Sequence, residues 1–313
     1  MNFTYQGQAC TLAHEKFGLR LYLHTESEET IATQTLNQID KRLRSSVRAV
    51  EKQVLADAPA LLANGDATVV NQHYLLLQAY KYFRERATSP SVVQDVHERF
   101  VSKDGSISGS TFTHGESVMR QNAFHDLIAA ITAYLSLLEH DLVLALPFQG
   151  FDRNVDSLID IIGSRWKEKF ARVLPNDTAA SRYRQLLTDV VERWRNPYSH
   201  GGFEKGQGAT VFIQAPGIGT VPVGLTSIRD SPRFSLFPVD EAEMTSVFEL
   251  FDELDGWLRS TLPDAFAWIE AGLDVRFDHA FRAATKAAHD AGEFAVLLEH
   301  AEHRQAVVDN MDF

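Results

Sequence analysis

Ten consecutive residues, Arg193-Trp194-Arg195-Asn196-Pro197-Tyr198-Ser199-His200-Gly201-Gly202, carry the densest reactive chemistry in the chain. Arginine offers a permanent planar charge that matches phosphate with two parallel hydrogen bonds, and histidine gives or takes a proton near neutral pH. Together they fit metal-free cleavage of RNA. A base removes the 2′-hydroxyl proton, and a guanidinium stabilises the charge that builds on the phosphorus oxygens. Arg195 and His200 are the candidate catalytic pair, Asn196 the polar residue between them, and Arg193 and Tyr198 the neighbouring candidates for substrate contact.

The flanking pattern says how these residues are held. Leu186, Leu187, Val190, Val191 and Trp194 recur at helical spacing, so Arg182–Trp194 reads as an amphipathic helix. Pro197 disfavours helical backbone at Asn196, so the helix is expected to stop or kink there. Asn196-Pro197 has the composition of an N-cap followed by the first residue of a new helical turn. That register puts Arg195 just before the cap and His200 at the fourth helical position, where a staple brings two side chains together. Free N–H groups at such a turn favour an anion, and Gly201-Gly202 leaves the backbone open behind the histidine.

With Arg195-Asn196, three intervening residues and His200 at a helix end, the stretch resembles the R-(N)-x-x-x-H signature of the HEPN superfamily. The resemblance covers roughly residues 117–265 and implies an all-α bundle that pairs as a homodimer around a shared cleft. It further implies a metal-independent endoribonuclease of the toxin or anti-phage defence kind, with RNA as substrate and an antitoxin or operon partner. Carried over, Arg195 and His200 are catalytic and Asn196 orients them. Glu139-His140-Asp141 matches the acidic E-x-D of the family's first bundle helix, which makes Glu139 an auxiliary catalytic candidate. Pro197 departs from the helix-friendly residue more usual at its place. The alternative is a catalytically inactive HEPN-like module that binds a nucleotide or a protein.

Composition sets the limits. The chain has 313 residues, 44% hydrophobic and 23% charged, as in a globular protein long enough for one large or two ordinary domains. One cysteine, Cys10, excludes an intrachain disulfide and a cysteine-based zinc site. The opening residues lack the basic and apolar regions of a signal peptide, and the apolar run Leu135–Phe148 is interrupted by Glu139, His140 and Asp141. A cytoplasmic protein without membrane attachment is the expectation. Its net charge of -12 opposes nonspecific duplex binding. Between Ser164 and Lys205, however, nine Lys or Arg face five Asp or Glu, a local positive excess around the reactive stretch.

In chain order, residues 3–24 read as a short β-hairpin, and Ile31 to Val54 as one side of a long helix ending before Pro59. A second helix is expected over Thr68–Ala87, with Tyr74 and Tyr80 as packing residues rather than base-stacking platforms. The Ser- and Gly-rich residues 102–115 read as a linker and domain boundary. Helices follow over Val118–Phe148 and Phe151–Ala171, and then a turn and cap at Pro175–Thr178. Ala209–Gln214, Val221–Leu225 and Arg233–Phe237 are strand-like. Asp240–Leu262 is a helix, and Asp274–Asp309 a helical pair broken near Gly292. Gly217-Ile218-Gly219 lacks the strand–glycine–helix context of a dinucleotide site. His300 and His303 share a helix face but lack the His-Glu-x-x-His order and a nameable third ligand, so neither metal nor cofactor is expected.

The fold expected is mainly α: a helical N-terminal region starting with a hairpin (1–115), a HEPN-like helical bundle (116–265) with a small β insertion near 207–238, and a C-terminal helical extension (266–313).

Overall fold

The computed structural model describes residues 1–15, 18–102, 105, 108–196, 210–224 and 241–309. The chain is mainly helical, with small antiparallel sheets of two or three strands. It forms two compact units, each assembled from separate parts of the sequence. One comprises Met1–Ala67, Asp152–Asp160 and Phe277–Phe313; the other comprises Thr68–Phe151 and Ile161–Arg276. The first division falls at Ala67, and residues 277–313 group with the N-terminal residues.

The first unit begins with a meander of three strands, β1 (Asn2–Tyr5), β2 (Gln8–Glu15) and β3 (Gly18–His24). The expected hairpin is therefore extended by a strand. Gln6 and Gly7 turn β1 into β2 with φ of 50° and 80°, the positive values whose twist suits a two-residue hairpin turn. Helix α1 (Glu29–Ala63) buries Thr35 and Ile39 in its early turns and packs there on β3. It runs through Pro59 to Ala63 instead of ending before it. Proline removes one N–H from the helical ladder. The carbonyl left over is that of Leu55, which is 70% exposed, so water can satisfy it.

The second unit is organised around the longest buried helix of the described residues. After β4 (Thr68–Val69) and α2 (His73–Thr88) comes a two-stranded ribbon, β5 (Val96–Val101) and β6 (Ser108–Thr113). This ribbon occupies the stretch read from sequence as a linker. Its small residues have a packing reason: a side chain at Gly109 would meet the ring of Phe100, its cross-strand partner, at 2.5 Å. Helix α3 (Gly115–Ala145) then runs with α2. Together with the short 3-10 turn Leu146–Gln149 it is long and apolar enough to cross a membrane. Its side chains instead form the core of the unit, with Leu127, Ala130, Ile131 and Leu142 almost completely buried.

The expected single helix over 151–171 is broken. Asp152 and Asp156 accept backbone N–H groups from Asn154 and Asp152 in a tight turn, which competes with helix. Two short helices follow, α4 (Leu158–Gly163) and α5 (Trp166–Val173). Next come α6 (Thr178–Val190), the strand pair β7 (Thr210–Ala215) and β8 (Gly219–Gly224), α7 (Glu241–Thr261), α8 (Pro263–Glu270) and β9 (Val275–Arg276), which pairs with β4. The expected strand 233–237 lies outside the described residues. At the centre, Tyr134 of α3 stacks on Phe251 of α7 at 3.9 Å, and Tyr80 of α2 closes on both rings. Such aromatic pairs add about 0.5–1.5 kcal/mol to the burial itself. The terminal helices α9 (His279–Ala291) and α10 (Phe294–Asp309) return to the first unit, separated by Gly292 at φ 70°.

Candidate functional site

The reactive stretch begins at the end of α6. Asp177 caps that helix, its Oδ1 accepting the Ala180 N–H at 2.8 Å. Tyr183, Leu187 and Val190 form its buried face. The next five residues, Val191–Arg195, form a π turn, in which the Asn196 N–H reaches five residues back to the Val191 carbonyl. Pro197 supplies a physical reason. It has no N–H for the Arg193 carbonyl, and its ring would crowd that carbonyl in a regular helix; a widened turn relieves the crowding. The sequence reading of a kink is met, but not as an N-cap. Asn196 has φ −65° and ψ −42°, helical backbone and not the extended conformation of a cap.

Packing and charge both hold the turn. Helix α3 packs against it, and Trp194 sits at 2% exposure. The Arg193 guanidinium lies 4.7 Å from the Trp194 ring centroid and forms an ion pair with Glu243 in the first turn of α7. Its buried Nε finds no partner among the described residues. Arg193, expected from the sequence as a substrate contact, is thus engaged within the protein by the acid of α7. Arg195 and Asn196 are half-buried. Tyr198, His200 and the two glycines after it lie outside the described residues.

The triplet Glu139-His140-Asp141 on α3 spreads in three directions, as consecutive helical residues must. Glu139 accepts a hydrogen bond from Lys169 Nζ of α5 at 2.7 Å, and the Lys169 side chain is 6% exposed. His140 Nε2 accepts the Gln72 N–H at 2.9 Å, just ahead of α2. Burial lowers the His140 pKa, because a charged ring there would lose water and that hydrogen bond. Asp141 takes both carboxylate oxygens to His73 Nδ1 at 3.0 Å, both side chains being buried. Burial raises the Asp141 pKa against the lowering effect of His73. Nearby, the Tyr134 hydroxyl donates to Asp255 at 2.8 Å, and desolvation holds the Asp255 carboxyl above its usual range.

His73, Lys169 and Glu243 were not singled out from the sequence. They carry no local motif; only packing reveals them as partners of Asp141, Glu139 and Arg193. Elsewhere in the unit, an open pocket of about 250 Å³ is lined by Phe170, Leu174, Asn176, Ser181 and Arg184. It lies at the start of α6, the opposite end from the reactive stretch. Among the described residues no group of three or more His, Cys, Asp or Glu side chains is placed to hold a metal ion.

No protein-family model, curated protein or solved structure matches the chain. The structure itself defines a mainly helical protein in which a π-distorted helical segment carries Arg195 and leads into Asn196 beside the core helix α3.

Proposed function

We propose that the chain is a metal-independent endoribonuclease of the HEPN kind, working as a homodimer in the cytoplasm, in a toxin or anti-phage defence setting with an antitoxin or operon partner. The observation that supports this best is the π turn. It distorts a buried helix just ahead of Pro197 and leaves Arg195 and Asn196 half-buried, with His200 four residues further along the chain. In the proposed reaction His200 takes the proton of an RNA 2′-hydroxyl. The oxygen attacks the adjacent phosphorus, and the 5′-oxygen leaves with a proton, giving a 2′,3′-cyclic phosphate. Arg195 bears the charge of the crowded phosphorane, and Asn196 steadies the turn. Arg193 contributes by holding the turn to Glu243. Two such turns in one cleft would supply an acid and a base together.

The test is incubation of purified wild type, R195A and H200A with mixed RNA in EDTA, followed by analysis of the 3′ ends. Cleavage by wild type alone, leaving cyclic phosphates, is the expected result. Full activity in H200A, or none in folded wild type, would overturn the proposal. The second reading, a non-catalytic nucleotide- or protein-binding module, draws on the internal pairing of Arg193 and on the net charge of -12.

A further inference from the structure

Beyond the turn where it rests on β3, helix α1 is bare. From Arg44 to Leu62 every residue but Ala58 is exposed, yet the helix carries apolar side chains in a regular seam. Leu43, Val47, Val50, Val54 and Leu61 follow one another at spacings of four, three, four and seven. Val47, Val50 and Val54 are 54%, 61% and 55% exposed. Alternating steps of three and four are the period of a two-stranded helical seam, and a lone helix has no use for it. The seam continues the side of α1 that Ile39 buries.

We infer that this seam is an antiparallel contact between two copies of the chain. The flanking charges select both the occupant and its direction. On one edge of the seam lie Arg44 and Glu51, one heptad apart; the other edge carries the uncharged Ser46 and Gln53. In an antiparallel pair the same edges of the two helices face each other. Pairing Val47 with the partner's Val50 then sets Leu43 against the partner's Val54 and brings Arg44 to the partner's Glu51, twice by symmetry. In a parallel pair opposite edges meet, so Arg44 would face Ile39 and Glu51 would face Ser46, with no charge matched. Arg44 also holds Asp40 of its own helix at 2.8 Å, an exposed pair that leaves the guanidinium open to a second carboxylate. The apolar layers end where Asp40 comes level with the partner's Asp57. The central layers, residues 43–54, span about 17 Å at the helical rise of 1.5 Å per residue. A contact of that size is small, and the expected dimer is a micromolar one. This surface lies on α1 and is independent of the ribonuclease proposal, whose dimer would use the reactive stretch.

Sedimentation velocity of the full chain from about 1 µM to about 100 µM tests it. At the top of the range wild type is expected at twice the mass of V50E, which puts two carboxylates into the central layers. R44E, which replaces both attractions by repulsions, should weaken the association roughly tenfold. The exchange R44E/E51R should return it to within about threefold of wild type. These positions are exposed, so unchanged circular dichroism is expected in all three variants. Equal masses for wild type and V50E, or failure of the exchange to restore association lost in R44E, would overturn the inference.

Discussion

Truncating Glu243 separates two roles for Arg193, holding the turn or holding a ligand. The side chains of the pair are 30% and 18% exposed, between the surface and the interior. An exposed pair is worth about 0.2–1 kcal/mol, and orphaning one member of a buried pair costs about 3–5 kcal/mol. E243A should therefore lower stability by about 2 kcal/mol, and E243Q by about half that, because an amide oxygen still accepts from the guanidinium. The consequence for activity is geometric. With Glu243 gone the guanidinium keeps, among the described residues, the Trp194 ring, and the π turn loses its tie to α7. A displacement on the scale of an ångström at Arg195 would lower kcat about tenfold with little change in the KM for RNA. Steady-state cleavage and urea denaturation of E243A, R193M and the double variant provide the measurement. The double variant should be no worse than either single one, since both remove the same tie. If R193M raised KM steeply while E243A left kcat, KM and the denaturation midpoint untouched, Arg193 would be a ligand contact and the reasoning would fail.

Two further outcomes follow from the surroundings of α3. His140 has a lowered pKa in the folded chain, so its contribution to stability is present above its unfolded value of 6.5 and is lost as pH falls through the lowered value. Asp141, raised by burial, acts in the opposite sense above 3.8, so the denaturation midpoint should be followed from pH 7 to pH 5 in wild type and H140Q. The variant keeps an acceptor for the Gln72 N–H without a titrating ring, and its midpoint should fall less; identical slopes would refute the assignment. E139Q leaves the buried Lys169 ammonium without its counter-charge and should cost about 2 kcal/mol, the buried-pair figure being reduced because Glu139 itself is partly exposed. E139Q/K169M should recover most of that stability in thermal melts. If this double variant also cleaves RNA like wild type, Glu139 is structural and not an auxiliary acid.

Periodicity by itself located most of the helices, because a buried face imprints its spacing on the sequence whatever it packs against. Helix α3 is the clearest case: Ile131, Leu135, Leu138 and Leu142 recur at the helical period and are all buried. The Asp177 cap, the break at Gly292 and the pair β7–β8 were equally legible, since each rests on residues adjacent in the chain. Local composition misled where the decisive contact was elsewhere. Residues 102–115 read as a linker because the register of Phe100 opposite Gly109 cannot be seen from one strand. Pro59 read as a stop because nothing local says that this stretch of the helix stays exposed, where water can take up the freed carbonyl.

The sequence determined which residues around 193–202 can do chemistry and that their helix must distort before Pro197. Only the tertiary structure decided that the distortion is a π turn with Asn196 still helical, that Arg193 belongs to Glu243, and that Glu139 and Asp141 serve a lysine and a histidine from other helices. Burying a charge requires a partner within about 3 Å, and that partner can sit anywhere along the chain: 68 residues away for Asp141, 30 for Glu139, 50 for Arg193.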